Sequence, residues 1–194
     1  MTDFTNDFLQ AFNHAMLYEV GSFWNPEDAD VISGQIDTKE QRKKVGYVNI
    51  PADRGGETKY GIAKNANPSV DVRNLDLAGA MDIYFTNYWL KGKCDRLTYP
   101  LTVMHFDGCC NHGIGRASKF LQRAAGVEAD GSIGDQTVMA IEGMDSATLI
   151  QNLSDIRTQF YSSIVQRDPS QGVFLNGWMR RINEVTQYTL SHLQ

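Results

Sequence analysis

The chain has 194 residues, of which 42% are hydrophobic and 21% charged, and its formal net charge at pH 7 is −5. These values are ordinary for a globular protein that is long enough for one sizeable core, with or without a small appendage. The chain is acidic and has no cluster of basic residues interleaved with aromatic ones. It therefore lacks the overall positive potential that attracts nucleic acid. No apolar run approaches the length of a membrane span.

Cysteine usage gives no metal or disulfide pattern. The three cysteines, Cys94, Cys109 and Cys110, are an odd number and have no zinc-like spacing to histidine. The sequence therefore predicts reduced thiols in or near the core, and no metal or organic cofactor.

The first predicted helix ends in a carboxylate. Apolar residues recur at intervals of three and four over residues 3–19, which predicts a helix with one apolar face. Glu19 closes it, followed by Val20 and Gly21, and glycine there is typical of a helix stop. Because the helix dipole disfavours a carboxylate at this end, Glu19 is a candidate general acid that holds its proton near neutrality. The alternative is a solvated surface glutamate.

Two irregular segments follow. Residues 22–45 begin acidic and end basic, which predicts an ordered excursion, either a lid or an extended hairpin. The stretch YVNIPADRGGETKYGI over Tyr47–Ile62 is dense in glycine and proline, which predicts a tight loop or hairpin with short strands. It presents the Asp53 carboxylate and the Thr58 hydroxyl five positions apart, as part of a hydrolytic site or of an ordinary surface hairpin.

The remainder predicts helices, so the fold class is mainly α (α+β) with a small β element near the N-terminus. Asp76 caps a helix to about Trp89, whose aromatic residues are expected in the core. Asn111-His112-Gly113 ends the next helix, a buried one that resumes after Tyr99-Pro100. The further predicted helices are Gly115–Ala125, one capped by Asp135 through Ile141, one from Asp145 or Ser146 to about Gln166, and one from about Val173 or Leu175 to Leu193 with Arg180 and Arg181 on its outer side.

Several of these motifs, in this order, resemble glycoside hydrolase family 108, the phage and prophage N-acetylmuramidases with a lysozyme-like fold. The resemblance spans nearly the whole chain. It rests on Glu19-Val20-Gly21, Tyr47–Ile62, Tyr88-Trp89, Phe106-Asp107, Asn111-His112-Gly113, Gly115-Arg116-Ala117, Leu121–Ala124, Asp130-Gly131, Ile133-Gly134, Thr137 and Gly177–Arg181. It implies a catalytic region over 1–110, with 22–45 as an insertion, and a helical peptidoglycan-binding region over 111–194, packed together as one compact unit.

One position departs from the family pattern. In the family the glutamate precedes the aspartate by about nine positions, and nine positions before Asp53 stands Lys44. Either residues 22–45 are an insertion that separates Glu19 from the rest of the motif, or Lys44 has replaced the acid and the chain is inactive. We favour the insertion, because a longer loop after a helix end costs little closure entropy.

The resemblance implies hydrolysis of the MurNAc–GlcNAc β-1,4 bond of peptidoglycan. Glu19 is then the general acid, the ionised Asp53 orients the attacking water, and Thr58 contacts that water. An inverting route is favoured by resemblance, although only the separation of the two carboxyl groups decides it. The candidate substrate contacts are Asn49, Tyr47, Tyr60 and His112; a structural histidine is the alternative for the last.

Three alternatives stay open. A lytic transglycosylase would use a glutamate without recruiting water. A catalytically inactive cell-wall-binding or virion protein would bind peptidoglycan carboxylates through Arg116, Arg123, Arg180 and Arg181. Peptide-bond cleavage by Cys109 and His112 is the third.

The expected partners and location follow from the same resemblance. The expected partner is the peptidoglycan glycan strand, with no nucleic acid, no stable membrane insertion and a monomeric chain. The N-terminus lacks the basic and apolar regions of a signal peptide, which predicts synthesis in the host cytoplasm and action in the periplasm or cell wall. Access would be by a holin-dependent route for an endolysin that causes host cell lysis, or within a virion.

Overall fold

The computed structural model describes residues 3–31, 37–49 and 55–193. The α-helices are α1 (Asn6–Glu19), α2 (Pro26–Val31), α3 (Lys39–Lys44), α4 (Leu77–Tyr84), α5 (Leu101–His112), α6 (Ile114–Ala124), α7 (Asp135–Glu142), α8 (Ser146–Arg167) and α9 (Gly172–Ser191). Strands β1 (Thr58–Lys59) and β2 (Ile62–Ala63) form an antiparallel hairpin. A π-helical segment, Phe85–Leu90, extends α4, and short 3-10 turns cover Cys94–Arg96 and Pro169–Gln171. The predicted fold class, mainly α with a small β-hairpin near the N-terminus, is confirmed.

Contacts between Cα atoms divide the chain into two compact units. The first comprises Met1–Phe4 and Phe12–Thr86, and the second comprises Thr5–Ala11 and Asn87–Gln194. Helix α1 therefore contributes its beginning to the second unit and its end to the first. The predicted division into 1–110 and 111–194 stays a prediction.

The first unit has an aromatic core that connects α1 to the hairpin. Phe12 contacts Trp24 and Tyr84, with ring centroids 6.0 and 5.4 Å apart, and Trp24 contacts Tyr60 at 6.4 Å. Phe12 and Tyr60 are almost fully buried. Burial of these rings fixes the end of α1 and the hairpin in one cluster.

The excursion over 22–45 is helical where it is described. It contains α2 and α3, so an extended hairpin is wrong for these residues; Ile32–Ile36 lie outside the described part of the chain. Helix α3 begins with a capping box in which Thr38 and Gln41 each bond the other's backbone N–H. Ala29 of α2 and Val45, the C-cap of α3, are fully buried, so α2 and the end of α3 are attached to a core, although α3 itself has no buried residue.

The second unit is a helical bundle in which α8 packs on α6 and α9, and α5 packs on the same two helices. The Asp145 side chain accepts a hydrogen bond from the Thr148 N–H at 2.8 Å, which confirms the predicted start of α8. The predicted cap at Asp135 is wrong by one residue, because Gly134 is the N-cap and Asp135 lies in the first turn. Trp89 is buried, as expected of a core aromatic.

Buried charges connect α5, α8 and α9. The Asp107 carboxylate accepts hydrogen bonds from Arg157 at 2.5 Å and from Arg181 at 2.8 Å. The prediction that Arg181 lies on the outer side of the last helix is therefore wrong, since its side chain is only 13% exposed, whereas Arg180 is 74% exposed as predicted. Within the described residues, none of the helices has both the length and the apolarity to cross a membrane.

Candidate active site

Glu19 lies against the turn of the hairpin. It is the last residue of α1 and is partly exposed. A Cβ added to Gly61 would lie 2.8 Å from the Glu19 Oε2 atom and 2.7 Å from the Tyr84 Oη atom. The carboxylate and the phenol therefore face the same side of this glycine, and only the missing side chain leaves room for them.

The turn between β1 and β2 depends on two unusual backbone conformations. Tyr60 and Gly61 both have positive φ, 52° and 75°, as a two-residue type I′ turn requires. A tyrosine in this region is disfavoured unless its surroundings hold it. Its ring is buried, its N–H donates to the Val45 carbonyl at 2.9 Å, and its hydroxyl donates to the Ala29 carbonyl at 3.4 Å. Tyr60 thus fixes the turn from inside the core.

Thr58 lies on the hairpin, on the β1 strand. Its backbone pairs with Val48 through hydrogen bonds of 2.8 and 2.9 Å, which brings the exposed Asn49 next to the same strand. The Thr58 hydroxyl donates to the Gly56 carbonyl at 3.3 Å, so its oxygen keeps lone pairs for a further donor such as water. Asp53 lies outside the described residues, and its predicted role stays a prediction.

Tyr47 is tied to the loop that leads to β1. Its ring is buried, its hydroxyl donates to Glu57 Oε1, and Arg73 Nη1 donates to that hydroxyl at 3.3 Å. The Arg42 and Arg73 guanidinium groups lie 5.8 and 5.9 Å from the centre of the ring. These contacts favour a role in holding the loop, as the Tyr60 contacts do for the turn.

The Lys44 side chain pairs with Asp28 of α2. Its ammonium group donates to Asp28 Oδ2 at 3.0 Å, and this hydrogen bond raises the pKa of Lys44. The neighbouring Gly46 meets the end of α1, because a Cβ there would lie 3.3 Å from both the Glu19 carbonyl oxygen and Val20 Cγ2. After the excursion over 22–45 the chain thus returns to the point where α1 ended.

His112 belongs to the second unit and is buried. Its Nε2 atom accepts a hydrogen bond from Arg157 Nε at 3.1 Å, and its ring packs edge-on against Phe120 and Phe160. Burial, followed by the charge of Arg157, lowers the pKa of His112 to about 3. These contacts favour a structural role, and its contact with substrate stays a prediction.

The peptidase alternative paired the wrong histidine with Cys109. The Cys109 Sγ atom contacts His105 Nε2 at 3.6 Å, while His112 is bound to Arg157. Cys109 and His105 are both buried, at 0% and 1% exposure. A thiol without solvent access cannot attack a peptide carbonyl, so this arrangement disfavours peptide-bond cleavage.

Sequence reasoning missed two residues of this region. Tyr84 is one of the aromatic residues that the sequence predicts in the core for the helix capped by Asp76, yet its hydroxyl lies beside Glu19 and donates to the Tyr60 carbonyl at 2.9 Å. A tyrosine on a helix face that is predicted to be buried could have indicated this contact, because a buried tyrosine hydroxyl normally finds a polar partner. Glu57 accepts the hydrogen bond of the Tyr47 hydroxyl, and no spacing pattern in the sequence connects these two residues.

The fold is mainly helical with a small antiparallel hairpin, and it is lysozyme-like. Residues 41–113 match the family model described as "Glycosyl hydrolase 108", and residues 116–183 match that of a "Predicted Peptidoglycan domain". These two matches, in this order, confirm the family resemblance seen in the motifs.

The similarity extends to a solved structure. The chain is similar to SagA of Brucella abortus with 27% sequence identity and a TM-score of 0.69, over 95% of this chain and 94% of that one. A comparison with curated proteins finds no match. Because the first family match begins at residue 41, it does not contain Glu19.

Proposed function

We propose that this chain hydrolyses the MurNAc–GlcNAc β-1,4 bond of peptidoglycan, with Glu19 as general acid. One observation carries the proposal: the Glu19 carboxylate lies beside the Tyr84 hydroxyl and against Gly61. Gly61 is in the turn of the hairpin that also bears Thr58. Glycoside hydrolysis requires a protonated carboxyl for the leaving oxygen and a second group on the other side of the bond. In this proposal Asp53 orients the attacking water and Thr58 contacts it.

The position of Gly46 supports the insertion alignment over the replacement of the acid by Lys44. Gly46 packs on the Glu19 carbonyl, so residues 22–45 leave and rejoin the fold at one place. Without residues 22–45, the end of α1 would connect directly to Gly46 and Tyr47. Lys44 is then part of the inserted segment, paired with Asp28 of α2, and Glu19 occupies the position of the acid.

The surroundings of Glu19 suit a proton donor. It lies at a helix C-terminus, where the helix dipole disfavours the negative charge, and it is partly withdrawn from solvent. The Tyr84 hydroxyl beside it fixes the local geometry through its bond to the Tyr60 carbonyl. General acid catalysis needs a carboxyl group that is positioned in this way and whose pKa lies near the operating pH.

The test is mass spectrometry of the fragments that the purified protein releases from peptidoglycan. We expect hydrated fragments with reducing MurNAc ends, and a loss of roughly 10²–10⁴-fold in the rate for Glu19→Gln, the range of general acid catalysis. Glu27→Gln is the matched control, because Glu27 is an exposed carboxylate in the first turn of α2.

Other outcomes would contradict the proposal in distinguishable ways. Anhydro-MurNAc ends would indicate a lytic transglycosylase. Reducing GlcNAc ends would indicate cleavage of the other glycosidic bond. Sedimentation with peptidoglycan without release of fragments would indicate a binding protein, and a fully active, folded Glu19→Gln variant would remove Glu19 from the mechanism.

A further inference from the structure

Three metal-binding side chains meet in the interior of the second unit. Cys94 begins the 3-10 turn over Cys94–Arg96, and His105 and Cys109 lie four residues apart on α5, hence on one face of that helix. One ligand atom from each of the three lies within 4.8 Å of the others. All three side chains are buried, with exposures of 0%, 1% and 0%.

The spacing within this cluster is close to that of a tetrahedral zinc site. Zn–S bonds of about 2.3 Å and Zn–N bonds of about 2.0 Å at tetrahedral angles separate sulfur from nitrogen by roughly 3.5 Å. The observed distance between Cys109 Sγ and His105 Nε2 is 3.6 Å. Two of the ligand atoms therefore already stand at the separation that one zinc ion imposes.

Gly92 closes the cluster with backbone rather than with a side chain. A Cβ there would clash with the Tyr88 carbonyl oxygen and lie 2.8 Å from Cys109 Sγ, so only glycine lets the chain pass this close to the Cys109 thiol; Cys94 Sγ would be at an ordinary contact distance of 3.5 Å. The Gly92 carbonyl oxygen lies 2.9 Å from His105 Nε2. This oxygen, or a water molecule, can complete a fourth position.

We propose that Cys94, His105 and Cys109 bind one Zn²⁺ ion. Two thiolates and a neutral imidazole balance the charge of the ion, so the buried site is electrically neutral. Binding releases the two thiol protons to solvent, and the imidazole coordinates through Nε2 with its remaining proton on Nδ1. Thiolate and imidazole ligands select zinc over Mg²⁺ and Ca²⁺, which prefer oxygen.

This inference is independent of the proposed hydrolysis. The cluster belongs to the second unit, and Glu19, Thr58 and the hairpin belong to the first. The three residues are buried, as the ligands of a closed structural zinc site are. Its expected contribution is to the stability of the second unit.

The first test measures the zinc content and the free thiols of the full, untagged chain after loading with Zn²⁺ and dialysis. We expect about one zinc per chain, and less than about one tenth of that in Cys94→Ser and Cys109→Ser, since each removes a ligand. Cys110→Ser is the matched control, because Cys110 neighbours the cluster in sequence but is not one of the three ligands; it should retain the zinc.

Two results would overturn the proposal: zinc in the unaltered chain no higher than in Cys94→Ser, or a Cys94–Cys109 disulfide in place of free thiols. Since removing a buried ligand can also prevent folding, Co²⁺ is the second probe and needs only the unaltered chain and Cys110→Ser. Both should show thiolate-to-cobalt charge-transfer bands at one equivalent, together with a higher melting temperature. Absence of these bands from the folded chain would equally overturn it.

Discussion

Gly61 is the residue on which the geometry around Glu19 depends most directly. Its φ of 75° allows the tight turn, and its missing side chain leaves the space that Glu19 and Tyr84 occupy. Both the conformation of the turn and the position of the Glu19 carboxylate thus require glycine at this position. Adding a single methyl group tests both requirements.

We expect Gly61→Ala to reduce both stability and hydrolysis. The left-handed backbone costs an alanine about 1–2 kcal/mol. The new Cβ would also stand 2.7 Å from Tyr84 Oη and 2.8 Å from Glu19 Oε2, which forces the carboxylate to move. A displacement of this kind can lower the rate roughly 10²-fold. Urea unfolding and release of peptidoglycan fragments measure the two effects.

Gly126→Ala separates strain from collision. Gly126 has a φ of 70°, and a Cβ there would meet nothing within 4 Å. This control should therefore lose a similar 1–2 kcal/mol of stability, as a rough value for the strained backbone alone, and keep its activity. Equal activity in the two variants would contradict the assigned position of the Glu19 carboxylate.

Helix α9 carries two adjacent arginines with opposite surroundings. Arg181 reaches Asp107 of α5 at 2.8 Å, and Arg157 of α8 contacts the other oxygen of that carboxylate. Burial works against the charge of Asp107, but Arg181 and Arg157 outweigh it and lower its pKa to about 2. Three helices are thereby joined by one ionised carboxylate.

We expect Arg181→Ala to destabilise the second unit by about 1–3 kcal/mol, the cost of leaving a buried acceptor short of a donor. Arg180→Ala should change the free energy of unfolding by less than about 0.5 kcal/mol, because an exposed pair contributes little. The Arg180 guanidinium is 74% exposed and stands 4.0 Å from Glu184. Denaturant unfolding of both variants is the measurement, and equal losses would contradict the buried linkage.

These arginines also show where prediction from the sequence ends. The spacing of apolar residues predicted the helices, and the aspartates that precede them predicted the N-caps at Asp76 and Asp145. Both features involve residues that are only a few positions apart in the sequence. The same spacing placed Arg181 outside, because its partner Asp107 is 74 residues away. Local patterns record apolar faces, whereas a buried ion pair is encoded only by the tertiary arrangement.

The candidate site divides in the same way. Glu19 at a helix end and Thr58 beside a tight turn were visible in the sequence, and the structure places both residues in the first unit. The approach of Tyr84 to Glu19 was not predicted, since it follows from how α4 packs under the hairpin. The Cys94, His105 and Cys109 cluster was missed because its spacing matches no linear zinc motif.

The acid stability of the second unit should depend on His112. Burial and the neighbouring Arg157 hold its pKa at about 3, against an ordinary value of 6.5. The groups that face it are Arg157, Asp107, Arg116 and Arg181. Asp107 favours the protonated ring, while the three arginines and burial oppose it, and the net effect keeps the ring neutral in the folded chain.

The sign of the pH effect follows from proton uptake on unfolding. Between pH 6.5 and pH 3 the unfolded chain binds a proton at His112 that the folded chain does not bind. The stability is therefore complete above pH 6.5 and decreases as the pH falls through this window. Asp107 contributes no pH dependence above pH 5, because its pKa is 3.8 unfolded and about 2 folded, so its carboxyl group is ionised in both states there.

We expect the free energy of unfolding of the unaltered chain to fall by about 2 kcal/mol more between pH 7 and pH 5 than that of His112→Gln, because glutamine cannot bind the proton. Urea titrations of both chains at the two pH values give this difference. The amide oxygen of glutamine can still accept the Arg157 hydrogen bond, and the contributions of other titrating groups cancel in the comparison. An equal pH dependence in both chains would mean that folding does not change the pKa of His112, and would contradict the lowered pKa that its burial beside Arg157 produces.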